Sequence, residues 1–345
     1  GEGGALGEPA SALHGWGRAA GALGERGRGQ CAALIGAEAG AIVWTSGATE
    51  ADNLAVIGAA RHGSGVGRHV VTAQTEHPAV LDACRYLERN GFTVTRLAPD
   101  SGGIIEPAAV AAALTPATVL VSIMHVNNEI GVIQDIGAIG AACRARDVLF
   151  HVDAAQSAAH LPIDVVAGSI DLLSMSAQKM YGPKGVGALY LNRERIRRVE
   201  PLMFGGGQER GLRPGTVPTH QVVGMGEACR LVAERRMADA AQIGALRDRL
   251  WAGIGQLPGV LHNGDPGRCV AHILSVSVTG VEGASLHLAL RDLAVSAGSA
   301  CTTLDAPPAA VLRSPGRSDQ LRRARGPFRP RPPTRAAAIR PGPPA

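Results

Sequence analysis

Aromatic side chains are nearly absent from this chain: it has three Trp, three Tyr and four Phe in 345 residues. That scarcity leaves its one strongly basic segment without base-stacking partners, so a nucleic-acid arm is not expected there. The six cysteines include no CxxC pair and no regular spacing. Neither a metal site nor a disulfide framework is therefore expected, and a reduced, cytoplasmic setting fits best. A GxxxxGK[ST] loop is also missing, which disfavours a nucleoside-triphosphate site. No signal-peptide pattern is visible. The most apolar stretch, residues 108 to 126, is broken by Thr115-Pro116 and reads as a helix followed by a strand, not as a membrane span.

Charge is unevenly placed. The last 33 residues, from Arg313 onward, hold nine Arg against one Asp, a net of +8, which leaves −3 of the chain's +5 for everything before them. Basicity is thus a property of the tail. Residues 313–345 are rich in Arg and Pro with few apolar side chains to pack, so a solvated, disordered segment is expected.

What the sequence does hold is a set of apolar runs that each stop at polar residues. Val148-Leu-Phe-His-Val-Asp153-Ala-Ala-Gln156 reads as a buried parallel strand ending in a carboxylate. The run from His69 leads to His77, and the run from Thr118 leads to Asn127-Asn128. After Asp171 an apolar strand stops at Ser176-Ala-Gln178-Lys179, where a glycine-rich loop begins. Ala41-Ile-Val-Trp-Thr45-Ser-Gly-Ala48-Thr49 has the order strand, small-residue turn, helix start. In open α/β sheets, ligand sites gather at the carboxyl ends of such strands.

The residue types at these ends suit pyridoxal 5′-phosphate (PLP). A partly desolvated lysine such as Lys179 has its pKa lowered toward neutrality and attacks an aldehyde as the free amine, forming a Schiff base. A buried Asp153 can partner the pyridinium nitrogen and keep the ring an electron sink. Gln156 and Asn128 can reach the phenolic oxygen, and His77 is placed to stack on a ring face and shuttle protons. Ala48 and Thr49 offer a backbone N–H and a hydroxyl at a helix start, an anion site for the phosphate. Each residue also has an ordinary reading: Thr49, Asp153 and His77 as helix-start residues, Lys179 as a solvated loop lysine. Four strand ends directed at one crevice favour the cofactor.

The segments Thr45-Ser-Gly-Ala-Thr-Glu50, Thr75-Glu-His77, Met124-His-Val-Asn-Asn-Glu-Ile-Gly131, His151-Val-Asp153, Tyr181-Gly-Pro-Lys-Gly-Val-Gly187, Gly205-Gly-Gly-Gln-Glu-Arg-Gly211 and Ser296-Ala-Gly-Ser-Ala-Cys301, together with Lys179, closely resemble cysteine desulfurases of the NifS/IscS type. The resemblance runs nearly continuously from Pro9 to Arg313. It implies an α/β protein of PLP-dependent transferase fold type I, with a mostly parallel sheet in a large domain (11–233) and a smaller C-terminal α/β domain (234–312). A helix from Arg235 to Leu257 would join the two. It also implies removal of sulfur from L-cysteine, leaving alanine, with Lys179, His77 and Cys301 as catalytic residues and Cys301 carrying the persulfide on a small-residue loop. Ser176 and Gln178 would join Thr49 at the phosphate, and Thr216 would reach the phosphate of the neighbouring subunit in a homodimer. The implied partners are an iron–sulfur scaffold or another sulfur acceptor, in cluster assembly or tRNA thiolation. Selenocysteine lyase, another class-V aminotransferase, or an inactive truncated copy remain alternatives.

The sequence departs from the family pattern in four places. The opening strand with its Ala-Thr-Thr segment is missing, Gln178 replaces a His, Pro214 replaces a Ser, and beyond Arg313 the arginine that clamps the substrate carboxylate is not recognisable. Arg325 and Arg329 lie near its expected place, but their surroundings do not match and the role is not transferred to them. Of the cysteines, Cys84, Cys143 and Cys229 read as small buried hydrophobes on helices. Cys31 and Cys269 have no assigned role.

Overall fold

The apolar runs form the strands of a seven-stranded sheet in a computed structural model that describes residues 7–11, 13–196, 199–281, 283–290 and 325–328. In chain order the elements are α1 (Gly15–Leu34), β1 (Ile42–Thr45), α2 (Ala48–His62), β2 (His69–Ala73), α3 (Pro78–Arg89), β3 (Thr93–Leu97), α4 (Pro107–Ala113), β4 (Thr118–Ser122), α5 (Ile136–Arg144), β5 (Leu149–Asp153), β6 (Leu172–Ser176), β7 (Gly187–Leu191), α6 (Thr219–Ile254), β8 (Val260–His262), β9 (Leu274–Val278), α7 (Gly283–Ala289) and β10 (Arg325–Phe328). The large sheet has the order β1-β7-β6-β5-β4-β2-β3. All pairings from β6 through β5, β4 and β2 to β3 are parallel; β7 alone runs against both of its neighbours. Every residue of β2, β4 and β6 is buried, as expected for strands covered on both faces by helices.

The chain divides into two compact units: residues 1–97, 107–125 and 135–234 form one, and 98–106, 126–134 and 235–345 form the other. Two excursions, 98–106 and 126–134, therefore group with the C-terminal segment although they lie in sequence within the span 11–233.

In the first unit α2 is buried along most of its length and packs on the sheet, with Leu54, Val56, Ala59 and Ala60 in the main apolar cluster alongside Val70, Leu120, Leu172 and Leu189. Helices α1 and α6 approach closely through glycine: a Cβ on Gly27 would sit 2.8 Å from the Val222 carbonyl oxygen, and one on Gly226 would sit 2.6 Å from Gln30 Oε1. That close approach explains why α6 starts at Thr219 rather than near Arg235. Glycines at positions 224 and 226 weaken the helical pattern read from sequence, and packing restores it.

The second unit contains the antiparallel sheet β10-β9-β8 and a small cluster of Ile104, Ile130 and Val132 with Cys269 against it. Residues 325–328, within the segment expected to be unstructured, pair along β9 from Arg325 opposite Ser277 to Phe328 opposite Leu274. β9 is buried from Leu274 to Ser277 and pairs with β8 on one edge and β10 on the other, a long-range demand that a composition argument about the tail did not include.

Candidate active site

Strands β1, β2, β4, β5 and β6 run in one direction, so their carboxyl ends share one edge of the sheet. Asp153 is the last residue of β5 and is buried; its Oδ1 accepts from the Ala155 N–H at 2.8 Å. Burial raises its pKa, while the Ala155 N–H and the electrostatic influence of His77 and Lys179 pull it back down. His77 and Lys179, more than a hundred positions apart in sequence, thus act on the same carboxylate.

Each side chain is held by local structure. His77 is the N-cap of α3, with Pro78 at the first helical position, and its Nδ1 accepts from the Ala79 N–H at 3.1 Å. The two sequence readings of His77 are therefore compatible: capping through Nδ1 places the proton of the neutral ring on Nε2. Lys179 lies in a short 3₁₀ turn, Ala177–Met180, that follows β6 directly and ends at Tyr181 in the left-handed region (φ 61°). It is half-buried, Ser176 before it is buried, and Gln178 is exposed.

The turn before α2 has Gly47 as N-cap at φ 154° and ψ 180°, a conformation essentially closed to residues with a Cβ. Space beside Gly47 is open: a Cβ built there meets nothing within 4 Å. Gly187 at the start of β7 packs against this turn, and a Cβ on it would come 2.6 Å from Gly47 Cα. Glu50 braces the turn, accepting from the Ser46 N–H at 2.7 Å and from Arg213 Nε at 2.8 Å. Ala48 and the exposed Thr49 open the helix, whose first-turn N–H groups are the kind of donors that suit an anion.

This donor set fits PLP. An anion-binding helix start flanked by Thr49 and Ser176, a buried carboxylate for a ring N–H, and an amine within electrostatic reach of that carboxylate match the phosphate, pyridine and aldehyde of one cofactor.

Gln156 is half-buried just past β5. Thr216 is exposed, and its hydroxyl donates to Glu8 Oε2 at 3.3 Å. Asn128 is buried and belongs to the second unit, beside Asn127, whose side chain accepts from the N–H groups of Glu129 and Ile130. Cys301 lies outside the described residues.

Several buried polar residues of this edge were not singled out in the sequence: Asp52, Glu76, His125, His151 and Ser174. His151 lies two residues before Asp153 in β5, a spacing that puts both on one face of the sheet and was available to sequence reasoning. Asp52, three residues after Thr49 on α2, carried no such signal.

The remaining cysteines are structural. Burial pushes the thiols of Cys84 and Cys143 up to about 12. Cys31 and Cys229 are both buried, with Sγ atoms 3.3 Å apart between α1 and α6. Cys269 Sγ donates to the Ile130 carbonyl at 3.4 Å. Among the described residues no group of three or more His, Cys, Asp or Glu is arranged to hold a metal, and no helix is long and apolar enough to cross a membrane.

Residues 4–315 match the aminotransferase class-V family. Proteins named cysteine desulfurase IscS from Pectobacterium atrosepticum and Salmonella arizonae are 54% and 53% identical to this chain over 318 residues, covering 92% of it and 79% of each relative. Among solved structures, a NifS-like protein superposes with a TM-score of 0.89 at 30% identity, over 97% of this chain and 88% of that one. SspA in complex with cysteine gives 0.84 at 34% identity, over 95% of this chain and 92% of that one.

Proposed function

This chain belongs to the class-V aminotransferases, as a PLP-dependent cysteine desulfurase, and we propose that the residues at the carboxyl edge of its sheet divide the reaction as follows. PLP, when bound, supplies an electron sink for the pair released from the substrate Cα–H bond. The start of α2, with Ala48 and Thr49, holds the phosphate together with Ser176 and Gln178. Asp153 accepts the ring N–H and keeps that nitrogen charged, while Gln156 and Asn128 bond the phenolic oxygen. Lys179 would hold the cofactor through its amine and, as a free amine, would take the Cα proton of L-cysteine.

His77 serves the sulfur. With Nδ1 engaged by the Ala79 N–H, Nε2 is the nitrogen that exchanges protons at the substrate thiol. The Cys301 thiolate attacks that sulfur: an S–S bond forms, the substrate C–S bond breaks, and its electron pair, with a proton, completes the methyl group of alanine. Cysteine and enzyme thiol thus become alanine and enzyme persulfide without any external oxidant. We also read the chain as a cytoplasmic homodimer in which Thr216 serves the neighbouring subunit's phosphate, delivering sulfur to an iron–sulfur scaffold or a related acceptor. The position of Thr216 on an exposed loop supports this.

The observation that carries the proposal is geometric: buried Asp153 ends β5, His77 caps α3 after β2 and Lys179 lies in the turn directly after β6, all at the carboxyl ends of parallel strands. Purified protein given PLP and L-cysteine is expected to yield alanine and persulfide in equal amounts, with persulfide lost in Cys301→Ala. Saturation with PLP and no alanine would refute the assignment.

A further inference from the structure

Beneath Asp153 a hydrogen-bonded row crosses three neighbouring strands. Ser122 Oγ in β4 lies 2.9 Å from His151 Nδ1 in β5, and His151 Nε2 lies 2.9 Å from Ser174 Oγ in β6. Helix α2 closes the row with Asp52, whose Oδ1 is 3.6 Å from His151 Nε2 and has no hydrogen-bond partner. All four side chains are buried, His151 completely. The row therefore ties the helix that opens at Thr49, one turn before Asp52, to the strand that ends in Asp153 and the strand that leads to Lys179. Ser174 is also the register partner of Asp153.

We propose that Asp52 is a positioning residue for the cofactor ring: as an uncharged acid it donates to Ser174, whose hydroxyl in turn donates to His151 Nε2, fixing the β5 face and leaving Asp153 as the carboxylate that meets the ring nitrogen. An ionised Asp52 would place a second negative charge in the same layer, where water cannot screen it. Burial and the neighbouring Asp153 charge hold the Asp52 carboxyl well above the usual range, and burial likewise lowers the His151 imidazole to about 3, so the two do not form an ion pair. Glu76 completes the arrangement: its Oε1 accepts from the Met124 N–H at 2.9 Å, and burial raises its pKa as well. The neutral His151 then carries its proton on Nδ1, toward Ser122, and accepts at Nε2.

The inference rests on PLP binding at this edge, and its test is separable from turnover. In the full-length protein loaded with PLP, without cysteine, nitrogen-15 NMR of His151 is expected to show one protonated and one bare ring nitrogen at neutral pH. A doubly protonated ring overturns the proposal. Asp52→Asn, a neutral isostere, is expected to keep PLP affinity within about threefold of the native protein and the same pH midpoint of the visible cofactor band. Asp52→Leu is expected to weaken PLP roughly tenfold, the worth of one buried hydrogen bond, and to shift that midpoint. An Asn variant as impaired as the Leu variant overturns the proposal, as does a Leu variant that loses only melting temperature. Should Asp52→Leu not fold, the Asn variant and the His151 spectrum still decide.

Discussion

The Arg28–Glu209 pair and the carboxylates Asp52, Glu76 and Asp153 are all buried in the first unit, yet they are satisfied very differently. Glu209 Oε2 accepts from Arg28 Nη1 at 2.7 Å and from the Trp44 N–H at 2.8 Å, and its Oε1 accepts from Arg28 Nη2 at 2.8 Å. Arg28 also donates to the Ile42 carbonyl and lies 5.3 Å from the Trp44 ring centroid. Burial opposes the guanidinium charge, but the bonds and charge of Glu209 outweigh it. Around Asp153 the opposite holds: Asp52 and Glu76 each keep a buried oxygen without a partner, and neither has a cation bonded to it. A buried charge with both oxygens engaged joins elements. Buried acids left short of partners are tolerated where a site needs neutral donors and one charge of defined position.

Lys179→Ala is the sharpest break on the functional side. Alanine formation is expected to fall about 10⁴-fold, close to 5 kcal/mol of barrier, measured by single-turnover assay with PLP saturating. PLP should still bind, reversibly, because the phosphate and ring-nitrogen contacts remain.

On the structural side, Glu209→Ala leaves the buried Arg28 with only the exposed Glu25 carboxylate and the Ile42 carbonyl as partners, which is expected to cost about 3 kcal/mol in denaturant unfolding. A cost near zero would mean that the pair is open to water, and the contrast between the two clusters would collapse. Gly187→Ala pushes a methyl into the Gly47 turn and is expected to cost about 1 to 3 kcal/mol in unfolding free energy and to weaken PLP, linking packing to the phosphate end.

The protonation states can be read from pH. Asp52 and Glu76 have folded pKa values above their unfolded ones, so the native state holds more protons than the unfolded chain. Their contribution is fully present below the unfolded value, near pH 4, and is lost as pH rises through the folded value. Stability should therefore fall by up to about 1.4 kcal/mol per pH unit for each acid across that window, and Asp52→Asn should flatten the slope in unfolding curves taken at several pH values. The smallest effect belongs to the exposed surface. Arg230, ion-paired with Glu227 and Glu234 on α6, should be replaceable by Ala with no measurable change in melting temperature.

The reach of sequence reading follows the range of the interactions involved. The apolar runs ending at His77, Asp153 and Lys179 declared the strands and their functional ends, because burial on both faces and a polar terminus are local properties of a few residues. His151 was legible by its two-residue spacing from Asp153, and its segment entered the family resemblance, but it was given no role, since its partners Ser122 and Ser174 lie on other strands. The strand at 325–328 was hidden by a tail composition that suits a solvated segment; pairing with β9 depends on a free edge some fifty residues earlier.

By itself the sequence determined an α/β chain, the order of its strands and helices along the polypeptide, and the residue types able to hold an anion, a ring nitrogen and an aldehyde. Only the tertiary structure decided which charges meet. Arg28 finds Glu209 across 181 positions, and Asp52 comes under Asp153 because α2 packs across β4, β5 and β6. The energy of a charge depends on the dielectric and partners around it, and those are set by packing between distant segments, which no local pattern encodes.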